Sequence, residues 1–227
     1  MQVIFTRHSQ TCILAPFMHS KTPISTSGLP LEEAKAAMII VHGRGATAPS
    51  ILTLADEFQL KDYAVFAPQA NQNTWYPHSF LAPIEANQPG LDSGLAKIDQ
   101  IVKHIEAAGI PAEKIMIGGF SQGACLSSEY VARNAKRYGG LFVLSGGVIG
   151  PPETPRNYAG SMAGTPVFLG CSDVDFHIPV ERVHETAEIF EKLGAAVDKR
   201  IYPNMGHTVN LDEIEAIQTI AKHIDQS

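Results

Sequence analysis

Lys114-Ile115-Met116-Ile117-Gly118-Gly119-Phe120-Ser121-Gln122-Gly123 runs from an apolar stretch into a G-x-S-x-G pentapeptide, and residues 124–136 then pattern as a helix. The strand–turn–helix context gives the pentapeptide its meaning. A serine that attacks a carbonyl must stand clear of the sheet on a sharp turn, and small residues two positions either side let the chain bend. The helix that follows points free N–H groups at the place where an oxyanion would develop. Taken alone, the same pentapeptide also describes a Gly-rich loop that merely turns a corner. The rest of the chain has to decide.

A serine hydroxyl needs a base, and the base needs a carboxylate to fix its tautomer. Downstream, Thr165-Pro166-Val167-Phe168-Leu169-Gly170 reads as a short buried strand, followed by Cys171-Ser172-Asp173-Val174-Asp175-Phe176-His177-Ile178-Pro179 with two acids. Lys199-Arg200-Ile201-Tyr202 reads as the next strand, and Pro203-Asn204-Met205-Gly206-His207 as the loop at its end. Functional groups in α/β sheets gather at the carboxyl ends of strands, so Ser121, Asp175 and His207 are the candidate nucleophile, acid and base. Asp175 precedes an x-x-Ile-Pro step into a helix, whereas Asp173 suits hydrogen bonds to loop N–H groups. Among the nine histidines, His8 and His19 fall in a weakly patterned stretch that reads as solvated surface, and His104, His184 and His223 fall inside helical patterns. His78 and His177 suit a pocket wall, and His42 a structural or oxyanion-loop role.

Met38-Ile39-Ile40-Val41-His42-Gly43-Arg44-Gly45-Ala46 is an apolar run ending in a Gly-rich loop. It is placed to supply one oxyanion donor, the backbone N–H of Arg44, while Gln122 supplies the other.

His42-Gly43-Arg44-Gly45, Gly119-Phe120-Ser121-Gln122-Gly123-Ala124, Asp175-x-x-Ile178-Pro179 and Met205-Gly206-His207 together resemble the phospholipase/carboxylesterase family of α/β-hydrolases. That family includes acyl-protein thioesterases, lysophospholipases and small bacterial carboxylesterases. The resemblance runs from about Leu31 to Ile224 and implies an α/β-hydrolase fold. It also implies a Ser121–His207–Asp175 triad with oxyanion donors at Arg44 and Gln122. Thioesterase members usually carry an apolar and an acidic residue in the His-Gly loop, where this chain has Arg44 and then Gly45-Ala46-Thr47. Residues 73–80, with Trp75-Tyr76-Pro77, look like a bacterial subgroup that includes proteins linked to hydroquinone or aromatic-compound response. Both departures concern the substrate, not the hydrolase chemistry.

The 227 residues suit one α/β domain, with residues 1–35 as an N-terminal arm (a strand or hairpin around Ile13–Thr26) and 36–227 as the hydrolase domain. Strands are expected near 37–41, 63–67, 114–118, 140–144, 166–170 and 197–202, and helices near 49–60, 92–108, 122–136, 179–193 and 210–224. Apolar strands alternating with amphipathic helices predict a mostly parallel sheet covered on both faces. Connection 68–90 is long for a compact domain, and its aromatics argue against disorder. It is expected to form a cap or rim in which Trp75, Tyr76 and Phe80 contact substrate.

A net charge of −6 and the absence of a basic run give no sign of a nucleic-acid surface. No stretch reaches the ~18–20 apolar residues of a membrane span, no basic amphipathic surface invites stable membrane association, and Cys12-Ile13-Leu14-Ala15 is too short for a signal peptide. Three cysteines without metal-type spacing read as reduced cytoplasmic thiols. The expected activity is cleavage of small to medium carboxylic esters without metal or organic cofactor. Thioester or lysophospholipid cleavage, dienelactone-type hydrolysis and a non-catalytic binding protein are the alternatives. Monomer and homodimer are equally compatible with the sequence.

Overall fold

Alternate residues of the first parallel strand face opposite ways: Ala37, Ile39 and Val41 enter one apolar cluster, Ala36, Met38 and Ile40 the other. A strand buried on both faces has to lie inside a sheet with helices above and below. The computed structural model describes residues 19–225, and there that is the arrangement found. Seven strands, β1 (Ile24–Gly28), β2 (Ala36–Val41), β3 (Tyr63–Pro68), β4 (Ile115–Phe120), β5 (Gly140–Leu144), β6 (Pro166–Ser172) and β7 (Ala196–Tyr202), form one sheet in the order β1-β3-β2-β4-β5-β6-β7. β1 pairs antiparallel with β3, with Ile24 opposite Pro68, and the remaining pairings are parallel. The fold is α/β and mostly parallel.

Five helices cover it: α1 (Ala48–Glu57), α2 (Gly90–Ala107), α3 (Gln122–Arg133), α4 (Val180–Lys192) and α5 (Leu211–Asp225). Residues of α2, α3 and α4 pack in one cluster, those of α1 and α5 in the other. The stripe Leu91, Ile98, Ile101, Val102 and Ile105 carries α2 onto the sheet. α3 is buried along residues 122–132, so the helix behind the elbow is a central element. Its end falls before the expected residue 136, because Ala135 bridges to Gly160 and the chain turns toward Tyr138.

The part of the expected N-terminal strand that is described is β1; Ile13 and the residues up to Met18 lie outside the described residues, as do His8 and Cys12. The stretch before β1 corrects one expectation. His19 is fully buried, not solvated. Its Nδ1 accepts the N–H of Asn71 at 3.0 Å, which leaves the proton on Nε2 to be donated to the carbonyl of Trp75 at 3.0 Å. Its own N–H meets Ser93 Oγ at 2.8 Å. Two buried backbone groups of connection 68–90 need a partner, and no pattern of the local sequence reveals that a distant histidine supplies it.

His19→Ala removes the acceptor of that N–H and the donor to the buried carbonyl of Trp75. A loss of about 2–4 kcal/mol in chemical denaturation is expected, and an unchanged unfolding midpoint refutes this role.

Candidate active site

Ser121 stands at the end of β4 with φ 57° and ψ −121°, a conformation that an L-residue holds only when its surroundings force it. The force comes from packing. A Cβ on Gly119 or on Gly123 would collide with the carbonyl oxygen of Val41, so only glycine lets the elbow lie against the end of β2. The same close approach brings the loop after β2 beside the serine: a Cβ on Gly43 would lie 3.3 Å from Ser121 Cβ.

Three strand ends bring the predicted side chains together. His207, on the loop after β7, has Nε2 2.9 Å from Ser121 Oγ and Nδ1 2.7 Å from Asp175 Oδ2. Asp175, on the loop after β6, has a side chain fully shielded from solvent. Its Oδ1 accepts the N–H groups of His177 at 2.9 Å and Ile178 at 3.1 Å. Burial alone raises a carboxyl pKa, but the hydrogen bond from His207 and those two N–H donors outweigh it, and Asp175 is held below its ordinary value. An ionised Asp175 fixes the proton on Nδ1, so the Nε2 lone pair faces the serine hydroxyl. The neighbouring acid is placed differently, for Asp173 is exposed and its Oδ1 accepts the N–H of Asn204 at 2.8 Å.

Arg44 and Gln122 line the same cleft as Ser121, which measures about 610 Å³. Neither backbone N–H has an acceptor among the described residues. Their side chains do something the sequence did not reveal. Gln122 Oε1 accepts the N–H of Trp75 at 2.9 Å, and Nε2 donates to the carbonyl of Tyr76 at 2.8 Å. Arg44 donates to the carbonyls of Pro77 at 3.0 Å and His78 at 2.6 Å. Residues 75–78 are thus held over the serine by the two residues whose backbones flank it.

Tyr76 and Phe80 line the cleft; Trp75 does not, which corrects the expectation that it contacts substrate. Its indole is completely buried, donates Nε1–H to the carbonyl of His42 at 2.9 Å, and packs against the rings of His19 and His42. An indole N–H in the interior needs an acceptor, and this one finds it inside the wall. His42 is structural, with Nε2 accepting the N–H of Ala70 at 3.1 Å and Nδ1 donating to the carbonyl of Gly43 at 2.8 Å. Burial lowers the pKa of this ring and of His19, which keeps both neutral. His78 and His177 line the cleft, and His177 meets His207 edge-on at 4.8 Å between ring centroids.

Cys171 is buried and directs Sγ at Asp175 Oδ2 from 3.8 Å. Glu213 escaped notice altogether. It is fully buried at the start of α5 and forms a reciprocal cap with Asn210, whose N–H it accepts at 2.8 Å and whose Oδ1 accepts its own N–H at 3.0 Å. Asn-x-x-Glu before a helix was the available signal, and it anchors the loop that carries His207. Among the described residues no cluster of His, Cys, Asp or Glu is arranged to hold a metal ion, and no helix is long and apolar enough to cross a membrane.

Serine, acid and histidine follow one another along the chain, each at the end of a different strand, which is the plan of an α/β-hydrolase. Comparison narrows that class. The chain belongs to the phospholipase/carboxylesterase family, whose model matches residues 29–226, and is therefore a carboxylic ester hydrolase. A phospholipase/carboxylesterase from Dyadobacter fermentans is 47% identical and superposes with a TM-score of 0.87 over 91% of this chain and 98% of that one. Acyl-protein thioesterase 1 of Saccharomyces cerevisiae is 26% identical over 213 residues, 85% of this chain and 94% of that protein. The Bacillus cereus carboxylesterase shares the fold at 16% identity, with a TM-score of 0.69 over 90% and 95% of the two chains.

Burial pushes the Glu213 carboxyl up to about 7, against the opposing hydrogen bond from Asn210, and Oε1 has no partner. A raised folded-state pKa contributes stability fully below the unfolded value near 4.5, and that contribution is lost as pH rises through about 7. The native protein is expected to lose up to about 3 kcal/mol from this source between those limits. Glu213→Gln should remove that slope, so the variant gains on the native protein as pH rises from 5 to 8. Parallel Tm-versus-pH curves would refute it.

Proposed function

We propose that this protein is a serine esterase that cleaves carboxylic esters of small to medium acyl chain through Ser121, His207 and Asp175. The observation that carries the reading is the unbroken relay from Ser121 Oγ through His207 to Asp175, at 2.9 and 2.7 Å. The serine oxygen attacks the ester carbonyl as its proton passes to His207 Nε2. Charge develops on the former carbonyl oxygen, and the unpaired N–H groups of Arg44 and Gln122 receive it, each contributing about 3–4 kcal/mol to the transition state. His207 then gives its proton to the leaving alcohol as the C–O bond breaks. Water attacks the acyl-enzyme by the same route and regenerates the serine. Asp175 holds the imidazole in the productive tautomer and stabilises it when charged.

The acyl preference rests on the cleft. A volume of about 610 Å³ walled by Tyr76, Phe80 and Ile178 lies in the range that small ligands fill. The likeness to a yeast acyl-protein thioesterase makes thioesters the reading to test against. Both described thiols, Cys125 and Cys171, are free and buried, which suits a cytoplasmic setting.

Ser121→Ala should abolish nearly all ester hydrolysis with the fold intact, and an organophosphonate should label Ser121 alone, as read by mass spectrometry. Asp175→Asn should lower kcat by about 10⁴ through the wrong tautomer, while Asp173→Asn costs far less. Equal losses in two folded variants would mean that the acid is misassigned.

A panel of aryl esters from acetyl to palmitoyl, with acyl-CoA and lysophospholipid, should show kcat/KM falling toward the long chains. Faster turnover of palmitoyl than butyryl substrates would reverse the small-ester reading.

A further inference from the structure

The protein carries a net charge of −6, yet the described lining of its cleft carries no carboxylate. Among the described residues that line it, none is Asp or Glu, one is Arg44, and three are His78, His177 and His207. Asp175 is shielded from solvent beneath His207, to which it is hydrogen-bonded, and it is not part of the cleft lining. Asp173, close by in the chain, points its Oδ1 at the N–H of Asn204.

Arg44 is exposed at this mouth, and its guanidinium is fixed in place. Nη1 and Nη2 donate to the carbonyls of Pro77 and His78, and the group lies 5.9 Å from the centroid of the Tyr76 ring. Those carbonyls are neutral, so its charge is not cancelled. Two bonds also leave other N–H groups of its fork without a partner among the described residues. A guanidinium clamped on the lining of the cleft that holds Ser121 is preorganised for a planar anion.

The wall behind the cleft has the same bias. Arg182 is buried with its guanidinium 5.7 Å from the centroid of the Phe80 ring, which lines the cleft. It belongs to a network in which Arg133, Arg156 and Arg182 face Glu129 and Glu185, one cation in excess. Arg156 Nη2 in that network is buried without an acceptor. Positive charge at the mouth and behind an apolar wall, with no acid on the lining, favours an anion at the mouth of the cleft.

We propose that this cleft selects esters that also carry a carboxylate, with Arg44 as the group that recognises it. The inference rests on the esterase reading of the same site and names its substrate class. A carboxylate reaches Arg44 either from the acyl half, as in a half-ester of a dicarboxylic acid, or from the alcohol half, as in an ester of a hydroxy acid.

Two matched pairs separate these cases. Mono-4-nitrophenyl adipate is compared with its terminal amide, and 3-carboxyphenyl butyrate with 3-carbamoylphenyl butyrate. In at least one pair the anionic member should have a kcat/KM about tenfold or more above its neutral partner. The pair that shows it places the carboxylate on the acyl or the alcohol side. Arg44→Gln should bring that ratio to about one, Arg44→Lys should retain part of it, and ~0.5 M salt should weaken it in the native enzyme. The ratio is the readout because either substitution also disturbs the hold on residues 77 and 78. Equal turnover of both members of each pair overturns the inference and leaves the esterase reading standing. A ratio that survives Arg44→Gln overturns the assignment to Arg44. No turnover, with no phosphonate labelling of Ser121, overturns the esterase reading itself.

Discussion

The carbonyl oxygen of Val41 occupies the space that a side chain at Gly119 or Gly123 would need, and much of the site depends on that contact. It presses the elbow against the end of β2 and forces Ser121 into a conformation with φ 57°. It sets Gly43 beside Ser121, and hence Arg44 within the same cleft as Gln122. Backbone strain at one serine is sustained by the buried sheet and helices on either side, because a close-packed interior offers no room to relax it.

The wall above the serine is assembled from the same parts. Gln122 and Arg44 bind four backbone groups of residues 75–78, His19 binds two more of the same connection, and the carbonyl of Phe80 accepts the N–H of Gly150. A long connection is normally mobile because few contacts hold its backbone. Here the bonds to Trp75 and Tyr76 also satisfy polar groups that the wall would otherwise bury unpaired. The aromatics of this connection separate into those that line the cleft and one inside the wall. Trp75 turns its N–H inward to His42, while Tyr76 and Phe80 present ring surface to the cleft.

Periodicity revealed most of the sheet. Apolar runs that could only be strands buried on both faces became β2 to β6, and the stripe on α2 fell where the spacing placed it. The triad candidates were legible because their spacing is local: a pentapeptide at a strand end, an acid before Ile-Pro, a histidine after Gly206. Asp173 and Asp175 were separable because only one of them precedes the turn whose N–H groups it accepts. His19, Trp75 and the side chain of Gln122 were not legible, since their partners lie 74, 56, 52, 47 or 33 residues away in the chain.

The sequence by itself determined the alternation of strands and helices, the elbow, and the order of the candidate serine, aspartate and histidine, because each is written in residue types within a few positions of one another. Only the tertiary structure decided what the arginine of the oxyanion loop touches, which aromatics face the cleft, and that a histidine before the first strand is part of its wall. It alone decided that, among the described residues, the cleft is lined by an arginine and three histidines and by no acid, in a chain of net charge −6. The physical reason is the same in each case. A buried polar group must find a partner, and an electrostatic field is a sum over neighbours in space, so both depend on which distant segments the sheet brings side by side.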